Sequence, residues 1–151
     1  MPDFDPSQAH RYFAAHCFNA AWELIDKSDR TPEETEQMIQ LALASLWHWS
    51  QREDGTPTHL SIGYWQASRV YALAGEPANA QKYAARCLEI TPADDPFCLG
   101  YAHEAMSRAA QMVGDLESVQ LHRELAREQA QCVVKPEDRQ LLEDDLNSLE
   151  P

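Results

Sequence analysis

Residues 68–89, SRVYALAGEPANAQKYAARCLE, and residues 107–128, SRAAQMVGDLESVQLHRELARE, align without a gap at an offset of 39. Ser68-Arg69 matches Ser107-Arg108, Leu73-Ala74-Gly75-Glu76 matches Met112-Val113-Gly114-Asp115, Ala80-Gln81 matches Val119-Gln120, and Glu89 matches Glu128. Each copy carries a helical segment up to a glycine and a second one after it, because glycine closes a helix and the residues behind it open the next. A unit of this length is one helix hairpin. It cannot bury its apolar faces alone and must stack on its neighbours.

The same punctuation extends in both directions. Thr31-Pro32-Glu33-Glu34 is a capping box with proline at the first helical position, and Asp95-Pro96 and Lys135-Pro136 repeat the proline signal. Gly55 and Pro57 mark a further break. The spacing predicts helices near 7–27, 32–53, 58–74, 77–90, 96–113, 115–132 and 136–148. Their links are short, so neighbours should be antiparallel. No window alternates apolar and polar residues over a strand length, and the expected class is all-α. Leu141, Leu142, Leu146 and Leu149 form a stripe suited to covering the open end of a stack.

Tyr64-x2-Ala67-Ser68-x2-Tyr71, then Ala80-x3-Ala84, then Pro92, keeps the spacing W-x2-L-G-x2-Y, A-x3-F, P. On these residues the chain resembles the tetratricopeptide-repeat family. The second copy is degenerate at His103, Met106, Ser107, Ala110, Val119, Arg123 and Gln131, and residues 93–97 lengthen its period. The likeness covers about residues 61–131. It implies one domain over 1–151: a divergent pair at 7–53, repeats at 58–92 and 96–132, and a capping helix at 136–149. The hairpins would stack as a short right-handed superhelix.

The resemblance also implies a site. Family members bind peptides or proteins in a concave groove lined by the first helix of each pair. By position the groove would carry Ile62, Trp65, Gln66, Arg69 and Leu73, then Tyr101, Glu104, Ala105, Arg108 and Met112. Arg69 and Arg108 sit at equivalent places on neighbouring pairs, as two guanidinium groups able to grip a carboxylate or phosphate. The structural alternative is that Glu104 pairs with Arg108 at i,i+4, or bridges to Arg69. The expected partner is a protein or peptide, with a second copy of the chain as a variant.

The first pair differs in kind. Tyr12, His16, Asn19 and Glu23 form a polar stripe in the first helix, and Ser45, His48 and Arg52 share a line in the second, with Trp47 and Trp49 flanking His48. Facing stripes would make a pocket walled by Trp47, Trp49 and Trp65, with His16, Asn19, His48 and Arg52 as polar contacts for a small molecule. The same residues fit an ordinary hydrogen-bonded core.

Charge and motifs narrow the classes. A net charge of −13 repels phosphate backbones and anionic lipid, so neither nucleic acid nor membrane is expected as a partner. No H-x-x-x-H, H-E-x-x-H, C-x-x-C, G-x-S-x-G or glycine-rich phosphate loop occurs. No catalytic residue, metal or cofactor is therefore expected. The N-terminal stretch MPDFDPSQA lacks the charge and apolar run of a secretion signal. Cys17, Cys87, Cys98 and Cys132 read as buried reduced thiols, and a cytoplasmic location is expected.

Overall fold

Proline in the first turn, capping side chains and two glycines divide the chain in the computed structural model, which describes residues 3–149. The described residues form α1 (Pro6–Ile25), α2 (Pro32–Gln51), α3 (Pro57–Leu73), α4 (Pro77–Ile90), α5 (Pro96–Met112), α6 (Leu116–Cys132) and α7 (Pro136–Asn147), and contain no strand. Thr31 and Glu34 form the expected capping box at α2, and Thr56 with His59 forms a second one at α3. Asp115 proves to be the N-cap of α6 rather than its first residue, since its carboxylate accepts from Ser118 N–H. Gly75 and Gly114 take φ of 77° and 73°. That left-handed turn lets Glu76 N–H reach Tyr71 O and Asp115 N–H reach Ala110 O, which closes α3 and α5.

The helices pair as three antiparallel hairpins, α1–α2, α3–α4 and α5–α6, stacked in sequence order. α2 also packs on α3, and α4 on α5, so each hairpin buries both helices against the next. α1, α3, α5 and α7 form one row of consecutive neighbours. One hydrogen bond recurs inside the repeat: Ser68 Oγ donates to Ala80 O at 2.8 Å, and Ser107 Oγ to Val119 O at 3.0 Å. A small residue allows the two helices to approach, and its hydroxyl is satisfied by the partner backbone. The first hairpin uses the same device with the helices exchanged, Ser45 Oγ donating to Ala14 O at 2.7 Å.

α7 closes the C-terminal end of the stack. Leu142, Leu146 and Leu149 are buried, the last of these beyond the helix end. Gly100 of α5 lies against Leu142, where a Cβ would meet the leucine methyl directly. Leu141 departs from the expected capping stripe: it is 53% exposed, because one residue's step turns it 100° away from Leu142. Cys17, Cys87 and Cys98 are buried free thiols, whereas Cys132, at the last turn of α6, is exposed. Among the described residues, no helix is long and apolar enough to cross a membrane.

Candidate functional site

The row of first helices creates a trough. Phe18 and Trp22 come from α1, Ile62 and Trp65 from α3, Phe97 and Tyr101 from α5, and Leu141 from α7. These side chains enclose about 220 Å³, with Ser61, Cys98 and Asp145 as the other contributors. The rings are fixed by one another. Trp22 stacks on Trp65 at 5.7 Å, Tyr101 meets Trp65 edge-on at 5.4 Å, and Phe97 meets Tyr101 edge-on at 5.1 Å.

The polar tips of Trp65, Tyr101 and Ser61 are held from behind. Trp65 Nε1 donates to Glu104 Oε2 at 2.8 Å, and Tyr101 Oη donates to Asp145 Oδ2 at 2.6 Å. Burial, then the bond to Asp145, raises the Tyr101 phenol above its ordinary value, so it stays a donor. Ser61 Oγ bonds Thr91 Oγ1 at 2.7 Å, and Thr91 Oγ1 donates to Cys87 O at 2.6 Å. Burial pushes the Cys87 thiol up to about 11 and the Cys98 thiol up to about 12, so neither is a thiolate near neutral pH. The trough therefore offers mainly apolar ring surface, with the Trp65 N–H and the Tyr101 and Ser61 hydroxyls already engaged.

Beyond Trp65 the row turns cationic. Arg69, Ala72 and Leu73 of α3 face Arg108, Gln111 and Met112 of α5 around a second hollow of about 320 Å³. Arg108 donates to Glu104 through Nε at 2.9 Å and through Nη2. Burial, then the like charge of Arg108, lowers the Arg69 value, against the opposing pull of Glu104 and Asp145.

Of the expected groove residues, Trp65, Tyr101, Glu104 and Arg108 form one connected cluster, with Arg69 one helical turn from Trp65. Their roles differ from the sequence expectation in three respects. Glu104 is 0% exposed, a buried acceptor beneath the groove and not part of its open surface. Arg108 is tied to it, whereas among the described residues no ion pair is formed by Arg69. Gln66 and Ala105 are buried between helices, Gln66 Nε2 donating to Phe18 O at 3.1 Å.

The pocket expected around His16 and His48 is not assembled. His16 stacks on Tyr12 at 5.2 Å and is exposed. His48 Nδ1 bonds His10 Nδ1 at 2.9 Å and packs on Phe13. Arg52 is bound to Asp54 at 2.6 Å and lies over Trp49 at 4.0 Å. Trp49 stacks on His59 at 4.4 Å, and with Asn19, Ala15, Phe18 and Ile62 they line a shallow hollow of about 200 Å³ beside the main trough. Trp47 is 56% exposed on another side, and Trp65 belongs to the trough. The two polar lines do not converge: His48 meets α1 at His10 and Phe13, and Ser45 meets it at Ala14 O, while His16 turns to Tyr12.

Sequence reasoning missed Phe18, Trp22, Phe97, Leu141 and Asp145. A signal existed for the first two: they are four residues apart in α1, off the buried line Ala14, Cys17, Ala21. Treating α1 as an inner helix like α3 would have put them on the concave side. A second imidazole pair also escaped notice. His103 Nδ1 meets His122 Nδ1 at 3.0 Å across α5 and α6, with ring centroids 5.3 Å apart, so one ring donates head-on to the other. Burial, then the charge of His122, lowers His103 to about 4. Among the described residues, no three His, Cys, Asp or Glu side chains converge as a metal-binding group. The chain matches no protein-family model, no curated protein and no solved structure.

Proposed function

We propose that this chain is a tetratricopeptide-like adaptor, without catalytic activity, that holds a peptide segment of a partner protein in the trough between α1, α3, α5 and α7. The observation that carries this reading is the trough's lining. Five aromatic side chains face one hollow of about 220 Å³ on a chain of net charge −13. Contiguous exposed apolar surface of this kind marks an interaction site. An apolar cavity of about 150 Å³ holds a benzene ring, so this one takes a single aromatic or branched aliphatic anchor. Aromatic-lined pockets with fixed rings are where such anchors contribute most of the binding energy.

The cationic end gives the segment a direction. Among the described residues Arg69 forms no ion pair, and it stands two turns of backbone from Ile62. An acidic side chain or a phosphate displaced from the anchor along the groove would meet it. Four free cysteines suit a reducing, cytoplasmic setting.

A displayed random-peptide library selected on the protein tests the reading. Selected peptides should share one bulky apolar residue followed or preceded by an acidic one. Their binding should quench Trp65 and Trp22 fluorescence. Trp65→Ala should weaken capture by at least about tenfold and Arg69→Ala by about threefold to tenfold. Enriched peptides that bind Trp65→Ala as tightly as the unaltered chain would remove the trough from consideration.

A further inference from the structure

We infer that the outer face of the α1–α2 hairpin, away from α3, pairs with the same face of a second copy of this chain around a two-fold axis. Among the described residues the stack is covered at one end. α7 covers the C-terminal hairpin with Leu142, Leu146 and Leu149. Among the described residues, nothing packs on the far side of the first hairpin.

That far side carries a regular apolar pattern. On α1 the line runs Phe13, Cys17, Ala20 and Leu24, spaced four, three and four, with Cys17 lying buried behind the open surface of the others. On α2 it holds Gln37, Leu41, Ala44 and His48, spaced identically. This is the seam of helices that pack side by side in bundles. The antiparallel hairpin aligns the two stripes as rungs: Phe13 with His48, Cys17 with Ala44, Ala20 with Leu41, and Leu24 with Gln37. The first rung is seen directly as a ring contact of 5.5 Å. The residues that face α3 lie elsewhere on the same helices. Trp22 stacks on Trp65, Leu46 meets Gly63 and Trp49 meets His59. Nine residues separate Phe13 from Trp22, which is half a turn in projection.

Three features favour a second copy over an unrelated partner. None of the eight rung residues is charged, in a chain with 25 acidic side chains. Two copies at −13 each repel across most other faces, and this one lets them meet. The rungs are also self-complementary. A two-fold axis at the centre sets the large residues of one end rung, Phe13 and His48, over Leu24 and Gln37 of the other copy. The small Cys17 and Ala44 then meet Ala20 and Leu41. Finally, two 20-residue helices side by side present roughly 30 by 20 Å. That is about 600 Å² per partner and about 1,200 Å² in total, at the lower bound for a specific stable interface. Trp47 and Tyr12, 56% and 60% exposed at the margin, add to it.

Sedimentation velocity over roughly 1–200 µM protein tests the inference. A monomer–dimer equilibrium with micromolar Kd is expected. Phe13→Glu and Ala20→Glu should each leave a monomer with unchanged circular dichroism, while Trp65→Ala in the trough stays dimeric. Hydrogen exchange on the unaltered chain gives a readout independent of any variant. Amides in 9–24 and 37–48 should slow with concentration, and those of α5 should not. A chain that stays monomeric throughout, a dimer whose exchange protection falls outside α1 and α2, or growth into open assemblies would each overturn it.

Discussion

Replacing Glu104 by leucine removes the one carboxylate that anchors both the central tryptophan of the trough and its neighbouring arginine. Glu104 is fully buried and accepts Trp65 Nε1 at 2.8 Å and Arg108 Nε at 2.9 Å. Leucine matches much of the volume but leaves an indole N–H unpaired in an apolar trough, at about 1–3 kcal/mol. It also strands a guanidinium whose side chain is only 17% exposed. Breaking a buried pair from one side costs about 3–5 kcal/mol, and the residual solvent access of Arg108 places this case near the lower end. A loss of about 3–4 kcal/mol in a chain of this length lowers Tm by roughly 6–16 °C. Glu104→Gln keeps an acceptor for Trp65 and should lose about 1–2 kcal/mol. Adding Arg108→Leu to Glu104→Leu should recover most of the loss, because the stranded charge goes with it. Urea unfolding followed by circular dichroism and tryptophan emission measures all three. A Glu104→Leu loss below about 1 kcal/mol, or a double variant no more stable than the single one, would refute the shared-anchor account.

The His103–His122 pair predicts acid lability. His103 is held at about 4, so between pH 6.5 and 4 the unfolded chain binds a proton that the folded one refuses, and stability falls as pH falls through that window. The full shift is worth about 3 kcal/mol, and solvent reaching the rings reduces it to about 1–2 kcal/mol. His103→Tyr with His122→Tyr, which copies Tyr64 and Tyr83 of the first repeat, should flatten the difference between pH 7 and pH 4.5 in urea titrations. Gly75→Ala has room for its methyl but forces φ of 77° on an L residue, and should lower stability by about 1 kcal/mol. Gly100→Ala drives its methyl into Leu142 and should loosen α7, seen as faster hydrogen exchange over 136–147 at a net loss of about 1–2 kcal/mol.

The fold was legible because it rests on features local to each hairpin. Proline at helix starts, glycine at two helix ends, and a serine at the closest approach act within a few residues or across one turn, and the 39-residue echo repeats them. Helix ends therefore fell within two residues of expectation. The site was less legible, because it forms between hairpins. Distance across the groove depends on how the stack curves, which spacing along the chain does not encode. Hence Trp22 and Phe97, remote in sequence, went unnamed, and the histidines of the first hairpin were assigned to a pocket that the helix rotations do not form.

The repeat does hold the missing information, in the places where its copies disagree. Ser68 and Ser107 are alike because both do the same work inside a hairpin. Trp65 and Glu104 stand 39 residues apart at one equivalent position, and they differ because they bond to each other. Ile62 becomes Tyr101, whose hydroxyl reaches Asp145 on α7, a helix absent beside the first repeat. Tyr64 and Tyr83 become His103 and His122, exchanging a tilted ring contact of 6.1 Å for a hydrogen bond between ring nitrogens. Arg69 and Arg108 are the instructive exception. They share identity yet not role, since only the second has a glutamate one turn before it; at the first repeat that position is Trp65. Identity between copies thus reports hairpin packing, and difference reports what each hairpin meets outside itself. On that reasoning the two arginines differ by surroundings and not by identity: Arg108 is bonded to Glu104, and Arg69 sits beside Trp65 on the neighbouring hairpin.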